Sequence, residues 1–385
     1  MPEKIVVFGA GATSRAHVGL LAWQAGFEIV FVDKKPDLVA ALQRTGCYQV
    51  KLYGHQCEQV TVSGFRVYHS EQRQAVAEEI ADAALVLTAV FDHNLPDVAQ
   101  TLALAISTCR RAGRQTPLNC IACENMMDSS STLGRHARHY LKGEDLEYCE
   151  EYVGFPDCMI SRIVPKPEPD PLVLVAEDYN EWTARAESFK GEKPLGLTAL
   201  ELVDNQTARL ERKLFIHNGG HAICGYLGFH RRCTYIHEAV ADPVVAGHVV
   251  RALDELGEIV RCKHGFSAQA IEAYQEDFKR RGAVAELRDE VLRVVRDPVR
   301  KLSSRERLVA PALLAEEYGL PRRWIVQGIV AALKYRHAGD LQSLQLAEKL
   351  RQQDVAAVVE EVCGIRQGSA LSAEIAQAWK DWQLS

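Results

Sequence analysis

The stretch Lys4-Ile-Val-Val-Phe-Gly-Ala-Gly-Ala-Thr-Ser-Arg15 decides the fold of the first half of this chain. It opens with an apolar run of the kind that forms a buried parallel strand, and a Gly-x-Gly turn follows at once. Helix-like sequence covers Ala16–Ala25, and a second apolar run, Glu28–Val32, ends on Asp33. Strand, glycine-rich turn, helix, strand and acid, in this order and at this spacing, predict a dinucleotide-binding βαβ unit.

The residues of this unit have distinct expected roles. Gly9 permits the tight turn, and Gly11 lets the backbone approach a pyrophosphate at the helix N-terminus, where unpaired N–H groups favour an anion. Asp33 is placed to accept the ribose hydroxyls of adenosine, which favours NAD over NADP because a carboxylate repels a 2′-phosphate. The adjacent cations Lys34 and Lys35 favour NADP instead, because they could tolerate its 2′-phosphate. We expect cofactor contacts from Gly9, Ala10, Gly11, Ala12, Thr13, Asp33, Thr88 and Asn125.

Length, composition and charge exclude several classes of protein. The 385 residues are 47% hydrophobic and 25% charged, which is typical of a soluble globular protein with two domains or one large α/β unit. A net charge of −6 offers no basic surface for nucleic acid or for an anionic membrane. The first residues lack a signal-peptide pattern, and no apolar stretch of ~20 residues could span a bilayer. We therefore expect a cytoplasmic protein whose partner is a small molecule.

The hydrophobic pattern changes from strand-rich to helical near residue 193. Before that point, short apolar runs bounded by turn residues predict strands, including hairpin-like strands over Gln49–Leu52 and Gln59–Tyr68 around Gly54 and Gly64. Beyond it, apolar residues recur at helical spacing as far as the C-terminus. The sequence predicts an α/β fold, with a Rossmann-like dinucleotide-binding domain over 1–192 and a mostly α-helical substrate and catalytic domain over 193–385.

Two further apolar runs, Ala81–Val90 and Leu118–Cys123, predict buried strands of the first domain. Ligands in open α/β sheets bind at the carboxyl ends of the strands. Thr88 and Asn125 come at or just after the ends of these two runs, so we expect them beside the cofactor or the substrate. For Asn125 there is an alternative, which is to cap a helix beginning near Asp128.

The stretch Glu211-Arg-Lys-Leu-Phe-Ile-His-Asn-Gly-Gly-His221 brings a lysine, an asparagine and two histidines close together in sequence. On an α-helix turning about 100° per residue, Lys213, His217 and His221 share a stripe spanning roughly 80°, and Asn218 lies at its edge. A cation, an amide and imidazoles converging from one helix can handle a proton on an oxygen. An ordinary helix, with a solvated lysine and with histidines satisfied in the core, explains the same residues equally well.

Several longer motifs resemble those of a known family. The chain is similar to the mannitol-1-phosphate 5-dehydrogenases, which belong to the long-chain, metal-independent polyol dehydrogenases. The resemblance covers nearly the whole chain and rests, in order, on Phe-Gly-Ala-Gly at 8–11, Pro-Leu-Asn…Ala-Cys-Glu-Asn-Met at 117–126, Val-Gly-Phe…Arg-Ile-Val-Pro at 153–165, Glu-Arg-Lys-Leu-Phe…Asn-x-Gly-His-Ala-Ile…Tyr-Leu-Gly at 211–228, Arg-Lys-Leu-Ser…Arg-Leu…Pro at 300–311 and Glu-Tyr-Gly-Leu-Pro at 317–321.

The resemblance implies the reversible, NAD-dependent oxidation of D-mannitol 1-phosphate to D-fructose 6-phosphate, by a monomer or weak oligomer. It implies that Lys213 is the general base, which requires a pKa near roughly 7–8 rather than the ordinary ~10.4. Asn218 and Asn125 would donate amide N–H groups to the developing alkoxide. His221 would orient the lysine or the hydroxyl, whereas His217 matches no motif residue and is expected to be structural.

The sequence departs from the family pattern in two places. The motif that usually reads Val-Asp-Arg-Ile-Val-Pro has Ser161 where the acid is expected, so a carboxylate near the substrate is missing. Ser14 replaces the third glycine of the turn and is expected to affect only packing. The first departure keeps one alternative open, an enzyme for a non-phosphorylated polyol or a sugar acid. A non-catalytic NAD-binding sensor is a separate alternative, and the presence of Lys213, Asn218 and His221 together argues against it, because a sensor needs no proton acceptor.

A substrate phosphate requires cations, and the densest basic run of the second domain is Arg-Asp-Pro-Val-Arg-Lys-Leu-Ser-Ser-Arg-Glu-Arg-Leu at 296–308. Arginine presents a fork of donors that suits phosphate oxygens. Arg300 or Lys301 is the expected phosphate ligand. The alternative is a solvated helix face with ion pairs to Asp297 and Glu306.

Metal binding is not expected. Cys120 and Cys123 form a Cys-x-x-Cys, but no second pair completes a set of zinc ligands. The His-Ala-Arg-His sequence at 136–139 and the pair formed by His217 and His221 also lack the further ligands that a site requires.

Overall fold

The computed structural model describes residues 3–55, 57–165 and 169–383, and within it the chain forms two compact units, Met1–Leu210 and Glu211–Ser385. The proline-rich stretch Lys166–Pro171, for which the sequence predicts a turn, lies partly outside the described residues.

The first unit combines strands and helices. Its strands are β1 (Lys4–Phe8), β2 (Glu28–Asp33), β3 (Cys47–Tyr53), β4 (Glu58–Ser63), β5 (Arg66–His69), β6 (Leu85–Thr88), β7 (Leu118–Ala122), β8 (Val153–Gly154), β9 (Cys158–Ser161), β10 (Val173–Glu177), β11 (Glu181–Arg185) and β12 (Leu200–Val203). Its helices are α1 (Gly19–Gln24), α2 (Pro36–Thr45), α3 (Arg73–Ala81), α4 (Leu95–Arg111), α5 (Ser129–Tyr140) and α6 (Glu144–Tyr152). A π-helix at Ser14–Val18, the Ser14 π-helix, leads directly into α1.

A parallel sheet in the order β5-β2-β1-β6-β7-β8 organises this unit. The side chains of β1 alternate between two hydrophobic clusters: Ile5 and Val7 belong to one, and Val6 and Phe8 to the other. Both faces of the strand are therefore buried, which is why it reads as a continuous apolar run. The carboxyl ends of β1, β2, β6 and β7 come out at the same edge of the sheet, where such folds bind ligands.

The strands predicted after β2 differ in detail from those observed. Gly64, with a φ of +73°, separates β4 from β5, so the run Gln59–Tyr68 forms two strands around this glycine. β4 pairs antiparallel with β3, whereas β5 joins the parallel sheet beside β2. The strand predicted over Ala81–Val90 is shorter, because Ala81 still belongs to α3.

The division between the two units falls later than the expected boundary at residue 193. The reason is β12, a strand that the hydrophobic pattern of the sequence does not predict. This strand pairs in parallel with β11, and β11 pairs antiparallel with β9, so residues past 193 complete a small sheet of the first unit. The helix α7 (Gln206–Arg212) contains the division.

The second unit is helical, and the predicted fold class is confirmed. A second π-helix, the Lys213 π-helix (Lys213–Gly219), continues α7. The helices that follow are α8 (Gly220–His230), α9 (Ile236–Ala241), α10 (Pro243–His264), α11 (Ala268–Gly282), α12 (Val291–Val295), α13 (Pro298–Lys301), α14 (Val309–Tyr318), α15 (Arg323–Leu333), α16 (Leu341–Gln352), α17 (Val355–Cys363) and α18 (Ala370–Lys380).

Candidate active site

The two glycines of the loop after β1 differ in the space around them: protein atoms crowd Gly9, whereas the space at Gly11 is empty. Gly9 has a φ of +91°, and its N–H donates to Val32 O at 2.6 Å. A Cβ on Gly9 would lie 2.5 Å from Ala89 O, whereas a Cβ on Gly11 would meet no protein atom within 4 Å. The chain itself requires glycine at position 9. At Gly11 the free space lies where a dinucleotide pyrophosphate is expected.

Asp33 is held at the carboxyl end of β2 and next to this loop. Its Oδ2 accepts from Ala10 N at 2.6 Å, and its Oδ1 accepts from Lys35 N at 2.8 Å. Each carboxylate oxygen has a further lone pair for a ribose hydroxyl. Lys34 Nζ donates to Asn94 Oδ1 at 2.7 Å, so this cation already has a partner within the protein. Open space at Gly11 and a fixed acid at Asp33 fit the adenosine half of NAD.

Thr88 ends β6 and is fully buried. Its hydroxyl donates to Glu124 Oε2 at 2.8 Å, and Glu124 Oε1 accepts from Val90 N at 2.8 Å. Burial raises the pKa of Glu124, although the hydrogen bonds from Val90 and Thr88 act against the shift. Glu124 therefore ties the end of β6 to the end of β7. The sequence predicts no role for Glu124, and its only signals there are its place beside Asn125 and within the motif at 117–126.

Asn125 is exposed in the loop that follows β7. The next helix, α5, begins at Ser129 with Asp128 as its N-cap residue, so Asn125 is not at the capping position.

Ala12 and Thr13 follow the glycines of the loop after β1; they are half-buried and lead into the Ser14 π-helix. Ser14 and Arg15, the next two residues, are buried.

The Lys213 π-helix changes the geometry that an α-helix predicts for this stretch. A π-helix is bonded from residue i to residue i+5, is rare, and occurs often at functional sites. Residues five apart then lie about one turn apart, so Asn218 comes close to the line of Lys213 instead of the edge of the stripe. Both side chains are half-buried, and His221 follows in the first turn of α8.

A buried carboxylate faces His221. Its Nε2 lies 3.1 Å from Asp289 Oδ2, and Asp289 Oδ1 accepts from Arg293 Nε at 2.6 Å. Asp289 is 5% exposed, and burial alone would raise its pKa. His221 and Arg293 outweigh that effect and hold the pKa of Asp289 well below its usual range, so the carboxylate stays ionised. Asp289 is far from His221 in sequence, and no motif signalled it.

His217 is buried in the interior of the second unit. Its ring lies 5.8 Å from the ring of Phe278 in an edge-on contact and 5.8 Å from the ring of His221. Burial lowers the pKa of His217 far below the ordinary value, and the cations Arg281 and Lys213 lower it further. The sequence predicts a structural role for His217, and its burial against Phe278 is compatible with that prediction.

The predicted phosphate ligands lie in a cluster of cations. Lys301 is 4% exposed, and its Nζ donates to Arg296 O. Burial, and then the charges of Arg307 and Arg300, lower the pKa of Lys301 to about 7. Arg300 Nη1 and Arg307 Nε donate to the two oxygens of Glu306, at 2.9 and 2.8 Å. Arginines of this run therefore do form ion pairs with Glu306, as the solvated helix face predicts. Two arginines share this one carboxylate, however, so it balances the charge of only one of them.

Within the residues that the structure describes, no three His, Cys, Asp or Glu side chains come together as a metal site would require. In the same residues, no helix combines the length and the apolar character needed to cross a bilayer.

Comparisons with known proteins identify the family to which the chain belongs. The model of the mannitol dehydrogenase Rossmann domain matches residues 3–195, and that of the mannitol dehydrogenase C-terminal domain matches residues 207–383. Mannitol 2-dehydrogenase from Pseudomonas fluorescens, solved as a ternary complex with NAD and D-mannitol, is 17% identical, with a TM-score of 0.75 over 99% of this chain and 91% of that chain. A D-sorbitol dehydrogenase in substrate-free form is 18% identical, with a TM-score of 0.82 over 99% and 93%. These two likenesses concern the fold, whereas the family models cover most of the sequence. The chain belongs to the mannitol dehydrogenase family.

Proposed function

We propose that this protein interconverts D-mannitol 1-phosphate and D-fructose 6-phosphate with NAD as the hydride acceptor. Family membership supports a polyol dehydrogenase. The structurally similar mannitol 2-dehydrogenase was solved with NAD and D-mannitol, which supports NAD and a hexitol here. Asp33 supports NAD over NADP, because its carboxylate is fixed where the adenosine ribose is expected.

The observation that supports a phosphorylated substrate is the positive charge around Lys301. The pKa of this buried lysine is lowered to about 7, by burial first and then chiefly by arginines. Glu306 is shared by Arg300 and Arg307, so it cannot neutralise both. A neutral polyol gains little from this excess of positive charge. A phosphate dianion accepts several charge-assisted hydrogen bonds from such groups.

The proton chemistry follows from the Lys213 π-helix. NAD, when bound, accepts the hydride from the carbinol carbon of the substrate. Lys213 takes the hydroxyl proton, and the amides of Asn218 and Asn125 donate to the oxygen as negative charge develops on it. His221, held beside the ionised Asp289, keeps its ring in one orientation for this proton transfer.

Turnover tests the proposal directly. Protein, NAD and D-mannitol 1-phosphate should produce NADH absorbance, and D-fructose 6-phosphate should consume NADH. Lys213→Ala should lower kcat by several orders of magnitude with little change in NADH affinity, because the base acts only on the substrate. Full activity of this variant would exclude Lys213 as the base.

The phosphate assignment has its own test within the same basic run. Lys301→Met should raise the KM for the phosphate ester about 10–100-fold, because a hydrogen bond to a charged group contributes about 1.5–3 kcal/mol. Arg305→Met is the matched control, since Arg305 is an exposed cation of the same run and should change the KM little. Equal effects of the two substitutions would contradict the assignment.

Ser161, buried at the end of β9, keeps a second candidate open. The missing acid is compatible with a non-phosphorylated polyol or a sugar acid as the substrate. A panel of hexitols, pentitols, hexuronates and their phosphates separates the candidates, because fast turnover of an unphosphorylated compound alone would overturn the phosphate proposal. NADH binding without turnover of any compound would instead indicate a sensor.

A further inference from the structure

Arg15 is a buried cation directly behind the glycine-rich loop. It is 3% exposed, and its Nε donates to Ala10 O at 2.6 Å. Tyr48 OH donates to Arg15 O at 3.0 Å, and the guanidinium carbon lies 5.2 Å from the centre of the Tyr48 ring. Within the described residues, Nη1 of Arg15 is buried and has no hydrogen-bond partner. The side chain is therefore fixed in place while one of its nitrogens makes no hydrogen bond.

The contact with Ala10 O acts on the peptide that joins Ala10 to Gly11. In a trans peptide the C=O and the N–H point in opposite directions. A cation bonded to Ala10 O therefore leaves the N–H of Gly11 pointing away from Arg15. It also polarises this peptide and makes the N–H a stronger donor. No oxygen within the described residues accepts from Gly11 N, and the space at Gly11 is open.

Asp33 creates the need for such a cation. Its Oδ2 accepts from Ala10 N at 2.6 Å, so a carboxylate lies beside the loop that is expected to bind a pyrophosphate. The negative charge suits ribose hydroxyls but repels phosphates. Arg15 and Asp33 hold the two ends of Ala10, one by its C=O and the other by its N–H. The positive charge of Arg15 offsets the negative charge of Asp33 beside Ala10.

We propose that Arg15 is a positioning residue for the dinucleotide: it holds the Ala10–Gly11 peptide with its N–H directed outward and offsets the charge of Asp33, so that the loop accepts a pyrophosphate. This inference rests on the dinucleotide cofactor of the proposed function, and it assigns the phosphate selectivity of the loop to a side chain outside the glycine motif.

Binding of nucleotide fragments tests the inference without turnover. Calorimetry with adenosine, ADP and ADP-ribose is carried out on the wild-type protein, Arg15→Met and Arg15→Lys. Arg15→Met should weaken ADP and ADP-ribose about tenfold or more, with adenosine changed less than about twofold, because only the phosphates depend on the charge and on the polarised peptide. Arg15→Lys keeps the charge and should recover part of the loss.

Arg162→Met is the matched control. Arg162 is half-buried, and its Nη1 donates to Ala16 O at 2.8 Å, in the same π-helix that contains Arg15. Loss of a merely structural arginine should weaken adenosine and ADP by the same factor. If Arg15→Met also weakens them equally, or weakens neither, the inference is overturned. Should Arg15→Met not fold, Arg15→Gln, which also removes the charge, takes its place and is judged by the same criterion. Failure of the wild-type protein to bind any nucleotide would instead overturn the proposed function.

Discussion

Gly9 and Gly11 stand two positions apart in one loop, yet an added methyl group meets different surroundings at each. Gly9→Ala places a Cβ 2.5 Å from Ala89 O at a φ of +91°, so it should destabilise the fold by about 1–3 kcal/mol. Gly11→Ala meets no protein atom and should leave the fold intact. It should nevertheless weaken NADH binding tenfold or more, because its methyl group occupies the space for the pyrophosphate. Thermal unfolding and NADH fluorescence titration measure the two effects, and a Gly11→Ala protein that binds NADH normally would contradict the site.

Lys301 gives the substrate site a dependence on pH. Its pKa is lowered to about 7 in the free protein, by burial and then by Arg307 and Arg300, so the lysine is mostly neutral above pH 7. A phosphate dianion favours the charged form, so binding above pH 7 should take up a proton and affinity should fall as pH rises from 7 to 9. The phosphate, whose second pKa is about 6, is already a dianion in that range. Calorimetry in buffers of different ionisation enthalpy measures the proton uptake. Lys301→Met should abolish it, and an affinity that is constant from pH 7 to pH 9 would contradict the assignment.

At the scale of elements, the two π-helices are the features that sequence periodicity could not predict. A turn of about 100° per residue predicts the stripe of Lys213, His217 and His221, but it places Asn218 farther from Lys213 than a π-helix does. The βαβ unit was predictable because its strand, turn and acid are set by local residues. Arg15, Glu124 and Asp289 act through partners that come together only in the folded chain, so a pattern along the sequence did not reveal them.

The Lys213 π-helix packs closely against the basic run through Gly219. A Cβ on Gly219 would lie 2.8 Å from Arg307 O. Gly219→Ala should displace the helix from this backbone, with a loss of about 1–3 kcal/mol of stability and a lower kcat, because Lys213 and Asn218 move with it. Gly247→Ala in α10 is the control. A Cβ there meets nothing within 4 Å, so the change should be neutral or should stabilise the helix by up to about 1 kcal/mol. Denaturant unfolding and steady-state kinetics compare the pair, and equal behaviour of the two variants would contradict this packing role.

At the scale of the whole molecule, each unit encloses its own hydrophobic clusters. Two clusters of the first unit lie on either side of the parallel sheet, and one large cluster joins the helices of the second unit. The residues proposed to bind the dinucleotide belong to the first unit, and the lysines proposed to hold the proton and the phosphate belong to the second. The two ligands should therefore slow hydrogen exchange in different segments of the chain.

Hydrogen–deuterium exchange on the intact protein measures this protection segment by segment. NADH alone should slow exchange in the loops at 9–15 and 33–35, because bound phosphates and ribose occupy their N–H groups and restrict local opening. Adding D-fructose 6-phosphate to the NADH complex should slow exchange at 213–221 and 296–308, where the proposed base and phosphate ligands lie. Free D-fructose is the matched control, and it should protect the basic run at 296–308 far less because it lacks the dianion. Equal protection of that run by the sugar and by its phosphate would show that the cations at Lys301 serve another purpose, and the polyol dehydrogenase would then act on a neutral substrate.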